Sequence, residues 1–365
     1  MNAGAVRHLY VHLPFCGHRC GYCDFVTVVG RRGQHAAYVD ALLAELELER
    51  PLLAERVETV YLGGGTPTFT EPDELRRLLG ALPTAAEVAV EANPETVTAS
   101  LAELLARNGV NRVSLGAQSF NAAFLDVLER RARPEDVRLA VHLLRHAGIE
   151  NISLDLLYGI PGQRASDVEA DIGEALALEP QHLSCYELEA KPGTRFTHAH
   201  GNELGRQAEA MEGYFELVVE TLVRAGYRWY ETANFCREGR EARHNLAYWC
   251  GRDYLGLGIG AVSTVSGVRW RNRPKLAAYL SALAAGERPP REVELLGEDI
   301  RARERLMLGL RLDRPLALAE VRRVLDADAL ARLERLGLAE GREDGLVLTS
   351  RGRFLGGGVT AELLA

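Results

Sequence analysis

From residue 8 to about residue 190, short runs of β-branched and aromatic residues alternate with longer stretches of helical period, which leaves few folds available. Strands are expected over 8–12, 57–62, 87–91, 112–117, 149–157 and 182–188. Helices are expected between and after them, over 36–48, 73–79, 101–107, 122–128, 134–147 and 166–178. The first helix sets Val39, Leu42, Leu43 and Leu46 on one face, and Thr70 ahead of Pro72 and Asp73 reads as a capping side chain. Strands each followed by a helix predict an α/β fold of parallel βα units with right-handed crossovers, either an open doubly wound sheet or a barrel. Both gather ligands at the C-terminal ends of their strands. The chemistry-bearing residues stand there: cysteines after the first strand, three glycines after the second, and Glu91 ending the third.

Beyond that region, 206–226 reads as a long helix, with 227–236 and 259–270 extended. After residue 290 come short helices at 300–308, 318–325 and 329–336, then a hairpin of 338–342 and 346–349 turning at Asp344-Gly345. This is the pattern of a small winged-helix-like α+β module. From Arg291 onward there are 13 arginines against 14 acids, so a lid or docking domain is favoured over a DNA-reading wing. The whole chain carries 43 basic and 51 acidic residues, a net charge of −8, and has no footprint for nucleic acid. No apolar run approaches the roughly 18 residues of a membrane helix, and the opening residues have no secretory h-region. The expected location is the cytoplasm, with peripheral membrane contact left open.

Three of the cysteines, Cys16, Cys20 and Cys23, lie within eight residues; Cys185, Cys236 and Cys250 stand alone and read as buried apolar side chains. Clustered thiols in such a chain indicate a metal or redox site more than a disulfide framework. By spacing alone two readings stand: a four-iron cluster one ligand short, or a zinc knuckle with His12 or His18 as fourth ligand. Gly63-Gly64-Gly65-Thr66-Pro67, following a strand directly, lets backbone approach a small polar molecule and favours the cluster beside an amino-acid-like cofactor. A second glycine pattern, Gly256-x-Gly258-x-Gly260, precedes an extended run and lacks the strand–turn–helix context of a dinucleotide site.

YVHLPFCGHRCGYCDF followed by YLGGGTPT resembles the radical SAM superfamily, and within it the oxygen-independent coproporphyrinogen III oxidase-like branch. The resemblance continues through EANPETV, SLGAQSFN, SLDLLYGIPGQ, HNLAYW and YLGLGIGA. It implies a partial (β/α)6 barrel over 1–195, an extension over 196–289 carrying the HNLAYW segment, and the winged-helix-like domain over 290–365. It also implies that Cys16, Cys20 and Cys23 ligate a [4Fe–4S] cluster whose fourth iron takes S-adenosylmethionine, cleaved by a low-potential electron to methionine and a 5′-deoxyadenosyl radical. By the same resemblance Tyr10 and Tyr22 flank that cofactor, and Gly64, Gly65 and Thr66 form the strip that receives its amino group. Glu91, Gln118, Arg130 and Asp155 match the polar residues around methionine and ribose.

Two departures from the oxidase pattern matter. Phe25 stands where the oxidase carries a further cysteine, and the first cluster cysteine is already residue 16, without the oxidase's long N-terminal extension. His244-Asn245-Leu246-Ala247-Tyr248-Trp249 resembles instead the HNxxYW motif of the heme chaperones in the branch. That resemblance implies heme as cargo with His244 as axial ligand, a heme-accepting apo-protein and a low-potential electron donor as partners. The alternatives are an oxygen-independent coproporphyrinogen III oxidase or another radical SAM enzyme, and, for the HNxxYW segment, plain core packing.

Overall fold

The computed structural model describes residues 6–364 apart from Ala190, Pro192 and Asp344, and of Arg206 the backbone alone. Its parallel strands are β1 His8–Leu13, β2 Val57–Gly64, β3 Ala85–Ala92, β4 Arg112–Gln118, β5 Asn151–Tyr158 and β6 His182–Glu187. They lie side by side in chain order, each parallel to the next. A doubly wound sheet reverses its order at a switch point; this sheet does not, and the topology is that of a barrel wall. Strands β7 Arg228–Glu231 and β8 Asn234–Cys236 continue it antiparallel beyond β6, while β9 Leu255–Leu257 runs parallel beside β1. The sheet order is β9-β1-β2-β3-β4-β5-β6-β8-β7, and its two edge strands do not pair, so the barrel is partial.

The crossovers are α1 His35–Glu49, α2 Pro72–Ala81, α3 Ala99–Arg107, α4 Ala122–Val127, α5 Pro134–His146 and α6 Ala165–Ala177. Helix α1 buries Val39, Leu42 and Leu46 against the sheet, and leaves Leu43 half-buried. Each such leucine contributes roughly 1.5–3 kcal/mol by leaving water. Thr98 and Asn121 cap α3 and α4 through their side chains. Thr70 does not cap α2: the N-cap position falls to Glu71, and Thr70 Oγ1 is buried without a partner among the described residues.

Helix α7 Arg195–Gln207, capped by Thr194, contains His198 and His200. There follow α8 Met211–Arg224, α9 Arg243–Trp249 and α10 Leu276–Ala284. A three-stranded antiparallel sheet is built from β10 Val262–Val265, β11 Val268–Asn272 and β12 Arg291–Leu295. The C-terminal module has α11 Glu298–Gly309, α12 Leu318–Val321, α13 Ala327–Arg335, the hairpin β13 Ala339–Arg342 and β14 Gly345–Leu348, and two unanticipated helices, α14 Ser350–Phe354 and α15 Gly356–Leu363. It has its own core, centred on Leu306, Val321, Leu346 and Leu363. Asp344, expected at the hairpin turn, lies outside the described residues.

The second glycine pattern is explained by packing. Gly258 sits at φ 99°, and a Cβ there would lie 2.6 Å from the Tyr38 hydroxyl and 2.7 Å from the His12 carbonyl. Its N–H donates to Glu45 at 2.8 Å. Glu45 is fully buried, also accepts from Tyr279 and Asn272 at 2.7 Å each, and meets Arg291 at 3.4 Å. Burial pushes this carboxyl up, and the four donors oppose it.

Candidate functional site

Beyond Leu13 the chain forms a two-residue bridge, Phe15–Cys16 beside Val28–Val29, which fixes the two ends of the cysteine loop. Cys16, Cys20 and Cys23 all line a cavity of about 450 Å³ at the C-terminal ends of the parallel strands. None forms a disulfide. Cys16 Sγ lies 3.4 Å from Thr66 Oγ1, and Arg130 Nη1 approaches Cys20 Sγ at 3.8 Å. Burial pushes the Cys16 thiol up to about 11 and raises Cys23 as well. Thiols held protonated in this way ionise when a cationic metal centre arrives.

The zinc-knuckle alternative loses its candidate ligand His12. Its Nδ1 pairs with the Tyr10 hydroxyl at 3.0 Å and its Nε2 with the Val26 carbonyl at 2.9 Å. Among the described residues no three His, Cys, Asp or Glu side chains converge on a single ion. Ligands to separate irons of a cluster stand further apart than ligands to one ion.

The glycine strip ends β2. Gly64 has φ 117°, and a Cβ there would meet the His12 ring at 2.5 Å; one on Gly65 would meet the Pro14 carbonyl at 2.5 Å. Gly64, Gly65 and Thr66 spend their N–H groups internally, on Glu91, Leu13 and Phe15. What remains on the strip is carbonyl oxygen, an acceptor suited to an ammonium.

Glu91 accepts from the Tyr61 hydroxyl at 2.8 Å and from the Gly64 N–H at 2.9 Å. Burial nevertheless pushes its carboxyl up to about 7. Asp155 accepts from Ser114 Oγ at 3.0 Å, with Ser153 and Ser184 beside it, and burial raises it to about 6. Gln118 lines the same cavity from φ 66°, at a register shift between β4 and β5. A non-glycine residue in that region costs of order 1–3 kcal/mol, and bulges of this kind re-aim side chains at sites.

Arg130 is buried, with Nη2 donating to Asn93 at 3.0 Å and to the Gly116 carbonyl at 2.8 Å. Its Nε is buried without a partner among the described residues. Tyr22 also lines this cavity and packs edge-on against Phe196. Three thiols, an unspent guanidinium nitrogen and two carboxyls raised by burial fit a cluster beside a zwitterionic, cationic ligand.

Tyr10 is the exception among the expected cofactor residues. It lines a neighbouring cavity of about 1100 Å³ between the barrel and the C-terminal module, which shares Asp24, Phe25, Gly64 and Glu91 with the first. Tyr248 and Tyr254 line it too, in edge-to-face contact at 4.5 Å.

His244 is not brought to either cavity. It is fully buried, with Nδ1 on Thr59 Oγ1 at 2.7 Å and Nε2 on the Tyr248 hydroxyl at 2.7 Å. Burial lowers its pKa to about 3. The expected axial nitrogen is therefore unavailable in this conformation, since both ring nitrogens are committed to hydrogen bonds. Of the lone cysteines, Cys185 and Cys236 are buried as expected, whereas Cys250 is half-buried and touches the Arg314 guanidinium.

Sequence reasoning missed Tyr61, Asn93, Ser114, Ser153 and Ser184. A signal existed for some of them: Ser114, Gly116 and Gln118 alternate along one face of β4, as Ser153 and Asp155 do along β5.

A family model described as "Radical SAM superfamily" matches residues 10–175, and one described as "HemN C-terminal domain" matches 298–355. The chain is 36% identical to a Heme chaperone HemW of Mycobacterium tuberculosis over 98% of this chain and 94% of that one. It is 32% identical to the Heme chaperone HemW of Bacillus subtilis over 98% and 99% of the two chains. The solved structure of coproporphyrinogen III oxidase (HemN) from Escherichia coli superposes with a TM-score of 0.84 at 24% identity, covering 99% of this chain and 90% of that one, a likeness of fold. Among the described residues no helix is long and apolar enough to cross a membrane.

Proposed function

Because this chain belongs to the HemW family of the radical SAM superfamily, we propose that it carries heme to an apo-protein and does not decarboxylate coproporphyrinogen III. Membership of the superfamily implies a [4Fe–4S] cluster and S-adenosylmethionine, which together supply one-electron chemistry when bound. Cys16, Cys20 and Cys23 would hold the cluster in the smaller cavity, with Arg130 beside Cys20. Gly64, Gly65 and Thr66 would border the amino group with Glu91 as its counter-charge, while Asp155, fixed by three serines, would receive ribose hydroxyls. Gln118 and Tyr22 would close the remaining walls.

One observation carries the heme reading. The larger cavity, walled by Tyr10, Tyr248 and Tyr254, meets the smaller one at Phe25, which is 63% exposed on the shared lip where the oxidase pattern has a cysteine. Flat aromatic walls suit a macrocycle face, and no thiol stands at the lip to serve the oxidase's chemistry. The reading places the protein in the cytoplasm, served by a low-potential electron donor and emptied by the heme-accepting apo-protein. Anaerobically reconstituted protein is titrated with heme and, separately, given coproporphyrinogen III with S-adenosylmethionine and a reductant. Heme retention without protoporphyrinogen is expected; robust turnover overturns the reading.

A further inference from the structure

Arginines line the larger cavity in two classes. Arg269 is held by Glu304 in a two-pronged pair at 2.8 and 2.6 Å, Arg305 by Glu320 at 2.6 Å, and Arg323 by Glu298 and Asp299. Arg252, Arg271 and Arg301 line the same cavity, are exposed, and their side chains make no hydrogen bond or salt bridge among the described residues.

Their placement is fixed by the backbone. Arg252 follows α9, where its N–H donates to the Ala247 carbonyl at 2.9 Å. On β11 the alternation buries Trp270 and turns Arg269 and Arg271 to the opposite, cavity face. Arg301 stands in the first turn of α11, where a cation opposes the helix dipole, and its neighbour Glu298 is already engaged by Arg323. Arg301 lies within electrostatic reach of Glu298 but forms no ion pair with it among the described residues, which leaves its guanidinium open to an anion in the cavity.

We propose that Arg252 and Arg271 from the barrel and Arg301 from the C-terminal module form a carboxylate clamp that selects a macrocycle bearing free carboxylates. The clamp rests on the reading that this cavity takes heme. Guanidinium groups grip carboxylates through paired N–H donors, a geometry that an ester lacking the charge does not satisfy. The tyrosine walls take the flat face of the ligand and the arginines its carboxylate edge. Because the three arginines come from two structural modules, binding also ties those modules together.

The experiment compares heme with heme dimethyl ester, titrated into the reconstituted full chain and into Arg252→Gln, Arg271→Gln, Arg301→Gln and the triple variant. Arg76→Gln serves as a surface control, and iron content with far-UV circular dichroism reports folding. Wild type and the control should bind heme on the order of tenfold or more tightly than the ester. Each single variant should narrow that preference, and the triple variant should abolish it while retaining ester affinity. Equal affinities in the wild type, or an undiminished preference in a folded triple variant, overturn the clamp and leave the heme reading standing. A wild type that binds neither ligand overturns both.

Discussion

The imidazole of His244 lies flat against the ring of Tyr61, with centroids 5.2 Å apart and planes 22° from parallel. Tyr61 in turn donates to Glu91 in the smaller cavity, while His244 Nε2 pairs with Tyr248 on the wall of the larger one. One buried imidazole thus links the two cavities. Thr59 Oγ1 pairs with Nδ1 of both His8 and His244, and a hydroxyl donates only once, so one of these imidazoles carries its proton on Nδ1.

His244→Ala should destabilise the protein by about 2–4 kcal/mol, through a cavity and two stranded hydrogen-bond partners. Denaturant unfolding measures that loss. The heme absorption spectrum of the folded variant should match the wild type, because His244 offers iron no free nitrogen in this arrangement. A displaced Soret band with the fold intact would return the axial role to His244.

Replacing Cys16, Cys20 or Cys23 by serine should abolish the oxygen-sensitive cluster, since all three thiols line the one cavity. Cys185→Ala should leave iron content unchanged, because that side chain is buried. Iron and sulfide analysis after anaerobic reconstitution checks both. Stoichiometric zinc without iron would falsify the cluster assignment.

Asp155→Ala should weaken S-adenosylmethionine binding while leaving the iron in place, because the carboxylate is held by serines and makes no hydrogen bond to Cys16, Cys20 or Cys23. Equilibrium dialysis of the reconstituted variant reads it. Unchanged affinity removes Asp155 from the ribose contact.

The same binding should depend on pH. Glu91 is raised to about 7 and Asp155 to about 6 by burial. A cationic ligand favours their ionised forms, so it must displace any proton they hold. Affinity should therefore be level above pH 7 and fall as pH drops through 7 and then 6, with proton release on binding seen by calorimetry in buffers of different ionisation enthalpy. Glu91→Gln should flatten the upper part of that profile. A flat wild-type profile between pH 5.5 and 8 contradicts the assignment of Glu91 as counter-charge.

Glu45→Ala removes the acceptor for four hydrogen bonds and leaves Asn272 Nδ2, Tyr279, the Gly258 N–H and Arg291 each short of a partner. A loss of about 3–5 kcal/mol is expected, the range for breaking a buried charge from its partners. Thermal unfolding should also show β9 loosening first by hydrogen exchange at Leu255 and Leu257, because Gly258 anchors that strand to α1.

The parallel βα units, the cysteine loop and the glycine turn were legible in the sequence because each is a local pattern. Strand and helix periods repeat every two or 3.6 residues, and thiols within eight residues share one loop however the chain folds. The order of the strands was not legible, since alternation alone permits either a wound sheet or a barrel, and only the unbroken parallel pairing of β1 to β6 in chain order decided it. The buried network around Glu45 was not legible for a related reason: its partners Asn272 and Tyr279 lie far away in sequence. His244, expected as a heme ligand, has its partners Thr59 and Tyr61 equally far off, and in this structure it is a buried hydrogen-bonding group. The separation of paired from unpaired arginines in the larger cavity likewise followed from long-range contacts. Local covalent spacing determines which chemical groups travel together; what each group faces is set by contacts across the whole chain, and only the tertiary structure contains those.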